Sequence, residues 1–174
     1  MEKIVVVSCT NRPNSNTLKV SKIYLKIFKA KLVEAKLLDF CILPETIAFS
    51  ETFGKRSDQY AQLIDEYISP IHKFVFVLPE YNGSFPGILK TFLDSMHPRE
   101  WNHKDICLVG VADGRAGNLR GLEHLTGILQ YLKMHVYHDK LPISIVNKVM
   151  DADGNFSEAQ MKACEDQIEG FLNF

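Results

Sequence analysis

Residues 74–78 read Phe-Val-Phe-Val-Leu and run without interruption into Pro79. A short apolar run that ends at proline suits a β-strand covered on both faces, the situation of a strand inside a parallel sheet. Such sheets place helices on either side, and their ligands lie beyond the carboxyl ends of the strands. The polar segment that follows, Pro79-Glu80-Tyr81-Asn82-Gly83-Ser84-Phe85-Pro86-Gly87, is therefore where function is expected. Its prolines restrict the backbone while its glycines free it, so main-chain groups can approach a flat ligand closely. Leu89, Phe92, Leu93 and Met96 then recur at helical spacing, with Pro86 suited to a first turn.

The same alternation extends along the chain. Ile4 to Val7 reads as a strand, and a polar stretch over 8–17 leads into a helix carrying Leu18, Val20, Ile23, Tyr24, Ile27 and Phe28. Val33 to Leu38 reads as a second strand and Asp39 to Gly54 as irregular. Tyr60, Leu63, Ile64, Tyr67 and Ile68 mark a helix that Pro70 helps to end. Ile106 to Val111 is a further strand, followed by the 112–118 loop and a helix with Leu122, Leu125, Leu129 and Leu132. The last strand is expected within 136–149, with an extension around Pro142. Ser157 and Gln160 form a capping-box pattern ahead of a helix with Met161, Cys164, Ile168 and Phe171.

This βα alternation predicts an α/β fold in which helices cover both faces of a parallel sheet. Five strands favour a flavodoxin-like three-layer sandwich with strand order 2-1-3-4-5, whose ligand crevice lies at the ends of the first and third strands. The loops at those ends are 8–17 and 79–87. A length of 174 residues is expected to make a single domain over 1–174.

The composition removes several function classes. A net charge of −1 lacks the basic surface of a nucleic-acid partner. Cys9, Cys41, Cys107 and Cys164 are scattered, as reduced thiols are, and no Cys or His spacing marks a metal site. The N-terminal apolar stretch is short for a signal peptide and no segment reaches the ~20 apolar residues of a membrane span. The expectation is an intracellular, cytoplasmic protein with no membrane partner.

The first loop offers the hydroxyls of Ser8, Thr10, Ser15 and Thr17, the guanidinium of Arg12 and the free N–H groups of the next helix. That donor set makes a phosphate cradle, and it also makes a helix-capping turn. The strand order favours phosphate. A Walker loop and the G-x-G-x-x-G fingerprint are both absent. Arg12 stands three residues after Cys9, whereas a cysteine phosphatase places it six after, so Cys9 reads as a small packed residue. Asp151-Ala152-Asp153-Gly154-Asn155 begins like a calcium loop but has Phe156 and Lys162 where glycine and glutamate belong, so it reads as a surface turn. No serine sits in a nucleophile elbow.

Leu78 to Gly87, continuing through Leu89, Lys90 and Asp94, resembles the signature of the NADPH-dependent FMN reductases, a flavodoxin-like family that includes quinone and azo-dye reductases. The first loop is similar to that family's Gly-Ser-x-Arg-x-x-Ser pattern, with Cys9 at the glycine, Thr10 at the first serine, Arg12 at the arginine and Ser15 at the second serine. Gly114-Arg115-Ala116-Gly117 resembles its glycine-rich segment, with Asn118 at a frequent second glycine.

The resemblance implies a noncovalent FMN, reduced by NADPH or NADH as co-substrate and reoxidised by a small-molecule acceptor such as free flavin, a quinone or an azo compound. It implies that Thr10, Arg12, Ser15, Asn16 and Thr17 hold the phosphate. Pro79, Glu80, Tyr81, Asn82 and Gly83 would border the isoalloxazine, and Ala112, Asp113, Gly114 and Arg115 its other edge. No residue is assigned as catalytic acid or base, because hydride passes through the flavin itself. Trp101 is left between covering a flavin and filling a dimer contact, and Arg115 between a solvated side chain and a nucleotide contact. A homodimer or homotetramer is implied. The alternative function is an FMN-binding electron carrier without efficient NAD(P)H turnover, although a carrier usually has a more acidic surface.

Overall fold

The computed structural model describes residues 3–174. Strands β1 (Ile4–Ser8), β2 (Ala35–Asp39), β3 (Lys73–Pro79), β4 (Asp105–Val111), β5 (His135–Val136) and β6 (Leu141–Ile143) form one sheet. The order is β2-β1-β3-β4-β5, with β6 also on β4, and every pairing of these strands is parallel. This is the expected 2-1-3-4-5 arrangement.

Helices cover both faces, and the alternation of side chains along β3 shows why. Phe74, Phe76 and Leu78 enter one core with Val5, Val7, Ile106 and Leu108, under α2 (Asp58–Tyr67), α3 (Gly87–Asp94) and α4 (Leu119–Tyr131). Val75 and Val77 enter the other core with Ile4, Val6, Cys107 and Val109, under α1 (Asn16–Ala30) and α6 (Glu158–Leu172). A strand buried on both sides must be apolar at every position, which is the pattern that the run 74–78 shows. Each large side chain so buried contributes about 1.5–3 kcal/mol against exposure.

The last strand differs from expectation by being split. β5 pairs with the start of β4 (Asp105↔His135) and β6 with its end (Val109↔Leu141 to Val111↔Ile143). Between them a buried amide replaces the ladder: Gln167 Nε2 donates to the carbonyls of Leu108 (3.2 Å) and Asp139 (2.8 Å), and its Oε1 accepts from the Tyr24 hydroxyl (2.6 Å). Pro142 is tolerated because β6 is a short strand on the rim of the sheet.

The irregular stretch 39–54 contains two tight turns, Phe40–Ile42 and a π-helical turn Ile47–Glu51. The buried Glu51 closes it by accepting the Ser57 N–H at 2.9 Å. Only half of the capping box at α6 forms: Ser157 Oγ accepts the Gln160 N–H, while the Gln160 side chain turns to Cys164. A short helix, α5 (Val146–Val149), follows β6.

Trp101 requires a correction. It neither reaches the ligand crevice nor offers a surface to a second subunit, because it is fully buried and set edge-on to Phe74, Phe76 and Phe92 at centroid distances of 6.0–6.4 Å. The 3₁₀ turn Pro98–Trp101 swings the indole into the α2–α3–α4 core. Among the described residues, no helix is long and apolar enough to cross a membrane.

Gly110 in β4 lies against the loop that follows, and a Cβ there would overlap the Gly117 carbonyl oxygen. Gly110→Ala is expected to destabilise the fold by about 1–3 kcal/mol, as overpacking of a close backbone contact does. Urea denaturation measures it, and a midpoint equal to that of the parent would show that the 114–118 loop yields freely.

Candidate functional site

The parallel register brings the carboxyl ends of β1, β3 and β4 to one edge of the sheet, with Ser8 beside Val77 and Pro79 beside Val111. The three loops that leave them surround a cleft of about 390 Å³.

The first loop turns sharply. Cys9 is fully buried, its N–H bonded to the Val77 carbonyl (2.9 Å) and its Sγ directed at the Val7 carbonyl (3.5 Å). Burial pushes its thiol well above the ordinary range, so it is a packed residue and no nucleophile. Thr10 is also fully buried and stands behind the cleft. Its hydroxyl accepts the Arg12 N–H (3.3 Å) and shares a hydrogen bond with the Tyr81 hydroxyl (2.9 Å).

Arg12, Ser15, Asn16 and Thr17 line the cleft directly. The Arg12 side chain is exposed and forms no ion pair among the described residues. Ser15 caps α1, its Oγ accepting the Leu18 N–H at 3.1 Å. That cap leaves the N–H groups of Asn16 and Thr17, the first two of the helix, without an intrahelical acceptor. No acidic residue lies in the first turn to offset the positive end of the dipole. The turn is the helix cap that the sequence suggested, and it leaves free the N–H groups that an anion cradle would use.

The second loop is a hairpin. Tyr81 and Ser84 exchange two backbone hydrogen bonds (2.8 and 3.0 Å) across Asn82 (φ 51°) and Gly83 (φ 77°). Two positive φ angles in a two-residue connection define a type I′ turn, for which Asn-Gly is the preferred pair. The Asn82-Gly83 pair is a local sequence signal for this turn. Pro79, Glu80 and Tyr81 line the cleft, whereas Asn82 and Gly83 form the tip of the turn and do not. Glu80 is exposed, and its N–H extends the ladder to the Val111 carbonyl (3.0 Å). Ser84 Oγ meets His124 Nδ1 at 2.8 Å, which fastens the hairpin to α4.

In the third loop Ala112 and Asp113 line the cleft, while Gly114 and Arg115 lie beyond its wall. The Arg115 side chain is exposed, and its carbonyl accepts from Ser144 Oγ (2.7 Å). Asn118 adopts the left-handed conformation (φ 66°) and donates from Nδ2 to the carbonyls of Leu78 (3.2 Å) and Pro79 (2.9 Å). Asparagine is among the residues that tolerate this conformation, and here its side chain also secures the end of β3.

Val146 and Asn147 also line the cleft, and the sequence did not single them out. They lie in the stretch 136–149 expected to hold a strand, and nothing local marks them. Asn147 Nδ2 donates to Asp113 Oδ1 (2.7 Å), and its Oδ1 accepts from Asn16 Nδ2 (3.0 Å).

The arrangement is a polar, open cleft with N–H, hydroxyl and guanidinium donors at the α1 end and a wall after β3 and β4 made by Pro79, Tyr81, Val111 and Ala112 with the carboxylates of Glu80 and Asp113. It suits an elongated anionic ligand with a flat group, and no side chain in it is activated as a nucleophile.

The chain is similar to known proteins in sequence and in fold. Residues 2–148 match the family model of the NADPH-dependent FMN reductases. A 2-hydroxy-1,4-benzoquinone reductase from a Burkholderia species is 28% identical over 129 residues, covering 67% of this chain and 67% of that protein. An FMN-dependent NADPH-azoreductase from Staphylococcus aureus is 25% identical over 182 residues, covering 99% of this chain and 96% of that one. FerB, a flavoenzyme NAD(P)H:(acceptor) oxidoreductase from Paracoccus denitrificans, shares the fold with a TM-score of 0.80 at 21% identity, over 99% of this chain and 96% of that one.

The cysteines provide a test of the loop geometry. Cys9, Cys107 and Cys164 are buried and Cys41 is exposed, and burial raises the buried thiols. Partial burial and the neighbouring Asp39 raise the Cys41 thiol as well, but its exposure leaves it reachable, so a thiol-specific reagent at pH 7.5 is expected to modify Cys41 alone in the folded protein and all four cysteines after unfolding. Because the folded pKa values lie above the unfolded ones, the buried thiols stabilise the fold fully below the unfolded thiol value, about 8.5. That contribution declines as pH rises beyond it. Rapid modification of Cys9 in the folded protein would contradict the packed loop.

Proposed function

Because the chain belongs to the NADPH-dependent FMN reductase family, we propose that the cleft at the ends of β1, β3 and β4 holds FMN and that the protein passes hydride from NADPH or NADH through it to an acceptor. The observation that carries this is the free N-terminus of α1. Two N–H groups without intrahelical acceptors, the Thr17 hydroxyl and the Arg12 guanidinium, which has no ion-pair partner among the described residues, stand around one end of a polar cleft. That donor set fits a phosphate monoester.

When bound, the flavin accepts hydride and returns it to an acceptor, so the protein need supply no acid or base. Its residues bind and orient. Arg12 would offset the charge of the phosphate, and Ser15, Asn16 and Thr17 would donate hydrogen bonds to it. Thr10 acts from behind the loop, through Tyr81 and the Arg12 main chain. Pro79, Glu80 and Tyr81 would border one edge of the ring, with Asn82 and Gly83 behind them at the tip of the type I′ turn. Ala112 and Asp113 would border the other edge, with Gly114 and Arg115 continuing that loop beyond the wall of the cleft. The cleft is open to solvent, so the two substrates would reach a bound flavin in turn.

Small quinones, azo compounds and free flavin are the acceptor class proposed for this site, by analogy with the relatives' activities. We assign the protein to the cytoplasm on its scattered reduced cysteines. A homodimer or homotetramer is supported by an apolar groove between α3 and α4, where Leu93, Met96, Ile128 and Leu132 surround the exposed Tyr131.

The protein reconstituted with FMN is expected to show a flavin spectrum, to bleach rapidly on anaerobic mixing with NADPH or NADH and to recover its colour with a quinone. Bound flavin that nicotinamide reduces only slowly would favour the electron-carrier alternative, and a protein that takes up no FMN would refute both. Arg12→Ala is expected to weaken FMN by about 1.5–3 kcal/mol, the value of a charge-assisted contact. Fluorescence titration measures it, and unchanged affinity would remove Arg12 from the phosphate site.

A further inference from the structure

Loops after β1, β3 and β4 form three walls of the cleft; a fourth comes from the start of α5, just after the turn that follows β6. Its key residue is Asn147, whose amide bridges Asp113 (2.7 Å) and Asn16 (3.0 Å). The chemistry of the bridge fixes its direction. An ionised carboxylate only accepts, so the NH₂ of Asn147 must face Asp113 and its oxygen must face Asn16, whose own NH₂ must then be the donor. One charge therefore orients three side chains, which leaves Asp113 with a free acceptor oxygen and Asn16 with a second N–H.

The backbone under Asn147 is held at a cost. Ile145 is left-handed (φ 49°, ψ 51°), an unfavourable conformation for a β-branched residue. It is secured by bonds to the third loop: Ile145 N–H to the Gly114 carbonyl (3.1 Å), Val146 N–H to the Ala112 carbonyl (3.0 Å) and Ser144 Oγ to the Arg115 carbonyl (2.7 Å). The effect of the strained residue is to turn the next two, Val146 and Asn147, into the cleft.

We propose that Asn147 is a positioning residue for the cofactor, holding the Asp113 carboxylate as an acceptor for hydroxyl groups of the ribityl chain. This rests on the cleft's being the FMN site. Asn147 reaches both the first turn of α1 and the loop after β4, so the group it addresses lies between the phosphate and the ring. There FMN carries a polyol, and a carboxylate that accepts two or more hydroxyl protons suits it.

The test measures Kd for FMN and for riboflavin, which keeps the polyol and lacks the phosphate, in the parent protein and in Asn147→Ala, together with the melting midpoint of the ligand-free protein. Loss of one oriented charge-assisted contact is expected to raise both Kd values by about tenfold, with the ligand-free midpoint unchanged. Should Asn147→Ala not fold, Asn147→Gln displaces the same amide by one methylene and is expected to act in the same direction. Kd values within twofold of the parent would overturn the proposal, as would weakening of FMN alone, which would place Asn147 at the phosphate. A parent protein that binds no FMN would instead remove the functional reading on which the proposal rests.

Discussion

The parallel register of β1, β3 and β4 is the constraint on which the rest depends. Because these strands run in one direction and are buried on both faces, their carboxyl ends meet at one edge, and the chain must leave that edge through loops that lie side by side. The loops are then tied by groups that a sheet end would otherwise leave unpaired. The Cys9 N–H takes the Val77 carbonyl, the Glu80 N–H takes the Val111 carbonyl, and the Asn118 amide takes the carbonyls of Leu78 and Pro79. Buried backbone groups need partners, and here meeting that need also builds the wall of the cleft.

The cleft so formed is preorganised for binding. Behind it Cys9 is buried and kept protonated and Thr10 is committed to Tyr81 and the main chain, while Ser15 on its lining caps a helix. None of these is poised as a nucleophile. What remains free is a set of N–H, hydroxyl and guanidinium donors at a helix N-terminus and a carboxylate held at the third loop. A family whose chemistry belongs to a bound flavin needs groups that bind, orient and tune it, and the structure supplies that kind of group.

Much of the frame was legible because its signals are local. The apolar run 74–78, the βα alternation and the count of five strands were enough for the strand order. Features set by distant contacts were not. Trp101 follows a helix end in a polar neighbourhood, and only the packing of Phe74, Phe76 and Phe92 shows that it is core. The last strand was seen as one because nothing near Tyr137 reveals that Gln167, thirty residues on, takes the place of the ladder. Thr10 was assigned to the cleft by position in a motif, whereas its hydroxyl is buried behind it against Tyr81. Asn147 lay in a presumed strand.

Left-handed residues show where local preference and tertiary demand meet. Asn14, Asn82, Gly83, Gly117 and Asn118 all stand in the loops around the cleft, and each is a residue type for which positive φ is inexpensive. At those places the sequence is locally consistent with its fold, so motif and structure agree. Ile145 is the exception: a β-branched residue in the same conformation, beside the one wall that no motif marks. A strained residue persists only where surrounding contacts over-determine it, and three bonds from its turn to the 112–115 loop do so here. The turn therefore gains its shape from the third loop rather than from its own sequence, which is why the fourth wall of the cleft could be found only in three dimensions.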